Sequence, residues 1–431
     1  MFIFLFNVEE QFLPIYILNI LTSIIFFLVL NSQLAKSEKY YTEKRLVLLV
    51  FIYSFISVAI YNIISYYYRG NLFVFSEADA LFYDRESRIM AGMSFSDGIK
   101  NYLNNMLLED LGAVLVISSL YRIIESNLLL NFVYIIIGAF TALCIFRISK
   151  KFMSIKYAFL CALTYSVSSF VLWYHASGLK ESFMVMLVVV FFDQFYQFYI
   201  NKKYIAVLYC IISLLALLLF RPVIVFLCIG ALSIGVLLSK KVNTFSLVIL
   251  VLFFIITIYL SNYISTESSR FIYNSNDELI DIKEKSGMVK GGVLFTYITN
   301  IVAATIGPMP TLQPNEKIIL SLFSPGLIFR VLIGAVLWFG VFYIIKTREG
   351  DIFPLVLFYL LEAASLVYIM ESLELRKSLP HFPMIYIISF WFLDKYNNLN
   401  HLNSNVKQRI RIIINLSSFL FALLIIYWNY R

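Results

Sequence analysis

Apolar residues along this chain run in long blocks rather than alternating, and short polar clusters separate the blocks. A block of ~20 apolar residues is long enough to cross the hydrocarbon core of a bilayer as a helix. The pattern predicts about twelve such helices, at roughly 12–31, 46–65, 128–147, 156–174, 182–200, 204–220, 223–239, 243–261, 325–345, 352–370, 381–394 and 410–428. No soluble domain, low-complexity tract or internal repeat interrupts them. The expected fold class is an all-α polytopic membrane protein, one integral membrane domain over 1–431.

The basic residues orient these spans. Lys36, Lys39, Lys44 and Arg45 fall in one loop, and Arg147, Lys150, Lys151 and Lys156 in another. The same side takes Lys202 and Lys203, Lys240 and Lys241, Lys346 and Arg348, then Lys395, Lys407, Arg409 and Arg411. These loops alternate with the rest, so they are expected on the cytoplasmic side, with both termini outside. The stretch 111–124, LGAVLVISSLYRII, is apolar but short, and Glu109, Asp110 and Glu125 flank it. Were it a span, every later basic loop would flip. It is therefore expected to lie along the outer face, inside a first outer loop at 66–127. A second long outer loop is expected at 262–324.

Composition agrees with the pattern. Of 431 residues, 61% are hydrophobic and only 14% charged, with a mean hydropathy of +0.84. A soluble domain of this size does not look like that. The net charge of +8 sits mostly in the short loops, which membrane orientation explains without nucleic acid. Cys144, Cys161, Cys210 and Cys228 all fall in apolar runs, so neither disulfides nor a cysteine metal site is expected. The first block lacks a basic leader and follows Glu9 and Glu10, unlike a cleavable signal.

With that topology the unusual polar residues collect on one side. Phe75 to Gly92, FSEADALFYDRESRIMAG, carries Asp79, Tyr83, Asp84 and Arg88 in the first outer loop. His175, Lys180 and Glu181 lie between the fourth and fifth spans, and Arg221 before Pro222 closes the sixth. Arg376, Lys377 and His381 sit at the last outer turn. Charges at span ends are costly unless paired or functional, which makes this zone the candidate site. Taken singly, each residue also has a bland explanation. Lys180 with Glu181 fits a loop ion pair, Arg221 a snorkelling arginine, and either histidine a hydrogen-bonded interfacial residue. Two histidines without an acid cluster leave a metal unsupported and its requirement open. No HExxH, P-loop, GxSxG or GxGxxG pattern points to a protease, ATPase, hydrolase or dinucleotide enzyme. Asp193, Arg330 and Glu362 are scattered through three spans, too few for the chain of ionisable groups a transporter usually threads.

The pattern D-x-x-x-Y-x(7)-A-G, present as Asp79, Tyr83, Ala91 and Gly92, resembles the first-loop signature of the GT-C superfamily of integral membrane glycosyltransferases. The segments LNFVYIIIGAFTALCIFRISKKF and YAFLCALTYSVSSFVLWYHASGLKES are similar to the bacterial protein-mannosyltransferase-like branch. Its LK-[DE] element is matched by Leu179, Lys180 and Glu181, and its R-P dipeptide by Arg221 and Pro222. GPMP at 307–310 and RKSLPHFP resemble two further outer elements, and the resemblance covers roughly 70–395. Two departures stand: two spans precede the acidic loop where the family has one, and Asp79 is followed by Ala80 rather than Glu.

The resemblance implies a polyprenyl-phosphate or polyprenyl-diphosphate sugar donor and a glycan or lipid-linked acceptor. It also implies a place in the bacterial inner membrane with the site facing outward. It makes Asp79, or Asp84, the general base. Tyr83, Arg88, His175, Lys180, Glu181, Arg221, Arg376 and His381 become substrate- and phosphate-binding residues. Wzy-type repeat-unit polymerases share the span count, the two outer loops and the Tyr/Phe/Ile-rich character, and a flippase of lipid-linked glycans is a third expectation.

Overall fold

The structure of the protein, a computed structural model, describes residues 28–34, 36–70, 79–106, 108–238, 324–347, 349–368, 375–398 and 404–430. It also describes residues 21, 24, 25, 301, 302, 304 and 305. The predicted spans at 12–31 and 243–261 and the second outer loop, with GPMP, lie largely or wholly outside the described residues.

Every described element is helical. In chain order these are α1 (Glu43–Arg69), α2 (Asp79–Ala91), α3 (Phe95–Asn105), α4 (Leu111–Tyr121), α5 (Asn127–Ser149), α6 (Ile155–Ser166) and α7 (Ser169–Ala176). They continue with α8 (Glu181–Asn201), α9 (Ile205–Leu218), α10 (Pro222–Leu238), α11 (Ser324–Thr347) and α12 (Phe353–Tyr368). A short 3-10 helix, Leu375–His381, leads into α13 (Phe382–Asn398), and α14 (Ser404–Tyr430) closes the chain. Helices satisfy their own backbone groups, the requirement lipid imposes on a spanning segment. Five are long and apolar enough to cross a membrane: α1, α5, α8, α11 and α14. The pair α6 and α7, bent by 49° at residues 167 and 168, makes up to six. Of the expected twelve, the described residues show five or six by length and composition, with α9, α10 and α12 as shorter apolar helices. The described residues are all-helical, and their apolar helices mark a membrane-embedded protein.

One contiguous core runs from α1 to α13. Helix α5 packs against α1, α6 and α8; α13 packs against α6 and α11; α10 packs against α12. One end of this bundle gathers the basic loops. Arg147 and Lys150 both pair with Glu43, at 3.0 and 3.3 Å. Nearby in the chain, the backbone N–H of Ser154 donates to Asp394 (2.7 Å), and Lys395 pairs with Glu349 (3.2 Å). The ion pairs are a third or more exposed, so they mark the end rather than stabilise it much.

The other end carries the loop helices α2, α3 and α4. The apolar stretch expected along the surface forms α4, whose 11 residues rise only about 16 Å, too short to cross a bilayer. It lies against α2 on one side and the α9–α10 turn on the other. The Gly112 N–H donates to the Leu219 carbonyl at 2.8 Å. A Cβ at Gly112 would stand 2.6 Å from Phe220 Cδ2 and 3.0 Å from that carbonyl oxygen, so only glycine permits this approach. Gly112→Ala is expected to push α4 off the turn at a cost of roughly 1–3 kcal/mol. A lowered thermal midpoint, with earlier protease nicking of the loop helices, would register the displacement; an unchanged midpoint would mean the contact yields freely.

Candidate functional site

The loop helices meet the bundle through one carboxylate that the sequence did not single out. Asp110 stands directly before α4, with no side-chain bond to that helix, and accepts from Tyr83 Oη at 2.8 Å and from Lys180 Nζ at 2.5 Å. Lys180 also donates to the carbonyl oxygens of Glu109 and Phe220, both at 3.0 Å. An ammonium has three protons, so all of them are engaged. Lys180 is aimed by the turn between α7 and α8, where Gly178 takes a φ of 72° that favours glycine. The Tyr134 hydroxyl holds the same turn by donating to the Leu179 carbonyl (2.8 Å). Lys180 thus ties α8, the loop and the α9–α10 turn together.

Around Tyr83 the charge is mainly negative. Asp79, half-buried, opens α2 one turn before it, and Glu181 is buried at the start of α8. Burial pushes the Tyr83 phenol far above its ordinary range, helped by Asp110, Glu181 and Asp79. Tyr102 is raised in the same way, by burial first and then by Asp110, Glu86 and Glu109. Tyr83 therefore acts as a hydroxyl donor, to Asp110, and not as a base.

Asp84 belongs to a separate cluster. It accepts from Arg88 Nε at 2.9 Å and Nη2 at 3.2 Å, and from Tyr121 Oη at 2.5 Å. Arg88 also pairs with Glu125. The Asp84 hydrogen bond first, and then the Asp84 charge and Tyr121, raise the Arg88 guanidinium's pKa against the effect of burial. Burial, followed by Asp84, raises the Tyr121 phenol. The five-residue step from Asp79 turns Asp84 about 140° around α2, so the two acids serve different faces.

The remaining predicted residues lie deeper or at the neighbouring turns. His175 is buried, its Nδ1 3.1 Å from Ser182 Oγ, and both line a small cavity with Thr141, Tyr165 and Tyr174. Leu379 reaches the same cavity, which joins the 3-10 helix to this end of the bundle. Arg221 is half-buried at the start of α10, and its charge bears on Glu362. His381 ends the 3-10 helix, fully buried, 3.7 Å from Glu362 Oε2 and 3.4 Å from Arg330 Nη2. Arg376 lies in the 3-10 helix, and its side chain is outside the described residues. All four cysteines are free thiols. Among the described residues no three His, Cys, Asp or Glu side chains gather as metal ligands.

Three participants were not among the sequence candidates. Asp110 carried one usable signal, an acid directly before an apolar helix, where negative charge suits the helix N-terminus. Arg330 and Glu362 stood out only as isolated charges in apolar spans. Compared with known proteins, the chain matches no family model and no curated protein.

Proposed function

We propose that the chain is a membrane glycosyltransferase that moves a sugar from a polyprenyl-linked phosphate donor onto a cell-surface glycan. The observation that carries this reading is the folding of the D-x-x-x-Y signature as one helical turn, which sets Asp79 beside Tyr83, whose hydroxyl meets Asp110 and through it Lys180. In the reaction Asp79 takes the proton of the acceptor hydroxyl. The acceptor oxygen bonds to the sugar's anomeric carbon as the carbon–oxygen bond to the lipid phosphate breaks, and the phosphate departs on the lipid. Arg221 and Arg376 balance its charge. Lys180, with its three protons engaged, holds the loop and reaches phosphate only by releasing Asp110. The site faces outward from a bacterial inner membrane, in keeping with the alternating basic loops.

Purified protein given a labelled lipid-linked donor and acceptor glycan tests this directly. Transfer of label supports it, and donor translocation across a vesicle without transfer would replace it with a flippase. A deletion strain that accumulates single lipid-linked repeat units would make the enzyme a Wzy-type polymerase. One that lacks a single sugar on otherwise complete chains fits the monosaccharide transferase.

A further inference from the structure

Arg330 is 1% exposed, yet no carboxylate pairs with it among the described residues. Its guanidinium lies over the Phe382 ring, 3.6 Å from the centroid. Its Nε and Nη1 make no hydrogen bond, and Nη2 reaches only His381 Nε2, at 3.4 Å. The nearest acid of this cluster, Glu362, stands on the far side of the His381 ring. Its Oε2 is 3.7 Å from Nδ1, and neither atom has a hydrogen-bond partner. Three elements, α11, α12 and the 3-10 helix, thus bring a cation, an imidazole and a carboxylate into one string. Each of the three is no more than 3% exposed. Tyr359 stacks edge-on to His381 at 5.6 Å but spends its hydroxyl on the Thr305 carbonyl.

A buried ion without a partner costs several kcal/mol, and an aromatic face returns only about 2. A cation held at that cost by α11 is stored for something that pairs it. The guanidinium's open N–H groups form a planar fork that matches an oxyanion with several equivalent oxygens. The His381 imidazole beside it makes its hydrogen bond with the Ala304 backbone and, held neutral by burial, adds no like charge.

We propose that the open Nε and Nη1 of Arg330 form a buried binding site for a phosphate group, with His381 and Glu362 placing the guanidinium from its other side. The site goes beyond the transfer chemistry assigned to Asp79 and does not depend on it. It binds the phosphate of a lipid carrier or a soluble phosphate, and the two sources are separable by experiment.

The test uses the full-length purified protein and reads thermal midpoints with inorganic phosphate, inorganic diphosphate or undecaprenyl phosphate. A ligand bound only by the folded state raises the midpoint with concentration. The wild type is expected to be stabilised by at least one probe, and the probe that works identifies the source. Arg330→Met should leave the ligand-free midpoint unchanged or higher, because it removes an unpaired buried charge. It should also weaken the probe's effect at least tenfold, with Arg330→Lys in between. A fall in the ligand-free midpoint or a failure to fold would make Arg330 a structural cation and overturn the site. So would an unchanged probe effect in Arg330→Met, or no stabilisation of the wild type by any of the three. Phosphate binding through Arg330 in a protein that transfers no sugar would keep this site and remove the transferase. Transfer with Arg330→Met binding normally would do the reverse.

Discussion

Asp79→Asn is expected to reduce glycan transfer by about 100- to 10,000-fold while the protein stays folded, because losing a general base typically costs that much. Asp79 sits half-buried at the first turn of α2, one turn before Tyr83, on the face that meets Asp110 and Glu181. An asparagine keeps the shape and cannot take the acceptor's proton. Donor binding should persist, since the cations assigned to phosphate lie on other elements. Asp84→Asn is expected to change transfer by no more than a few-fold. Asp84 already accepts from Arg88 and Tyr121, and Arg88 is 39% exposed, where such pairs contribute little. Glycan product measured in cells at matched protein levels separates the two acids. Normal product from Asp79→Asn with loss from Asp84→Asn would move the role to Asp84. Normal product from both would remove the mechanism.

The second large effect is structural. Lys180→Met is expected to lower stability by roughly 2–3 kcal/mol, below the 3–5 typical of a fully buried pair because Asp110 is a quarter exposed. The substitution strands the Asp110 carboxylate and leaves the Glu109 and Phe220 carbonyls without their donor. Asp110→Asn should lose part of the same energy, since Tyr83 can still donate to the amide oxygen. The double substitution should then cost clearly less than the sum of the singles, the signature of residues that act through each other. Thermal midpoints of the three variants and the wild type close this cycle. Additive losses would mean that Lys180 and Asp110 act separately and that the loop is held by α4 packing alone.

Much of the architecture is legible along the chain. The predicted spans at 46–65, 128–147, 182–200 and 325–345 fall inside α1, α5, α8 and α11. Pro222 after Arg221 marks the α9–α10 turn because proline fits the first helical position and no interior one. The local pairing of Asp84 with Arg88 is equally legible, being four residues apart on one helix. The break at residues 167 and 168 is not. The sequence YSVSSF holds neither proline nor glycine, and α11 fits into the bend from across the bundle, with the Gly326 N–H donating to Ser169 Oγ at 2.9 Å.

By itself the sequence determined that this is a helical membrane protein, where many of its helices run and which loops carry the basic charge. Those properties are sums over neighbouring residues: apolar surface accumulates along a segment until transfer into lipid is favourable. The tertiary structure alone decided which polar groups meet. Tyr83 and Asp110 are 27 residues apart, and Asp110 and Lys180 are 70. Arg330 and His381 are 51 apart, with Glu362 completing the string from a third element. A charge in an apolar span reads the same whether it faces lipid, a partner or a ligand. Its meaning depends on what packing brings within a few ångströms, because the cost of burying a polar group is settled by its partners and not by its place in the chain.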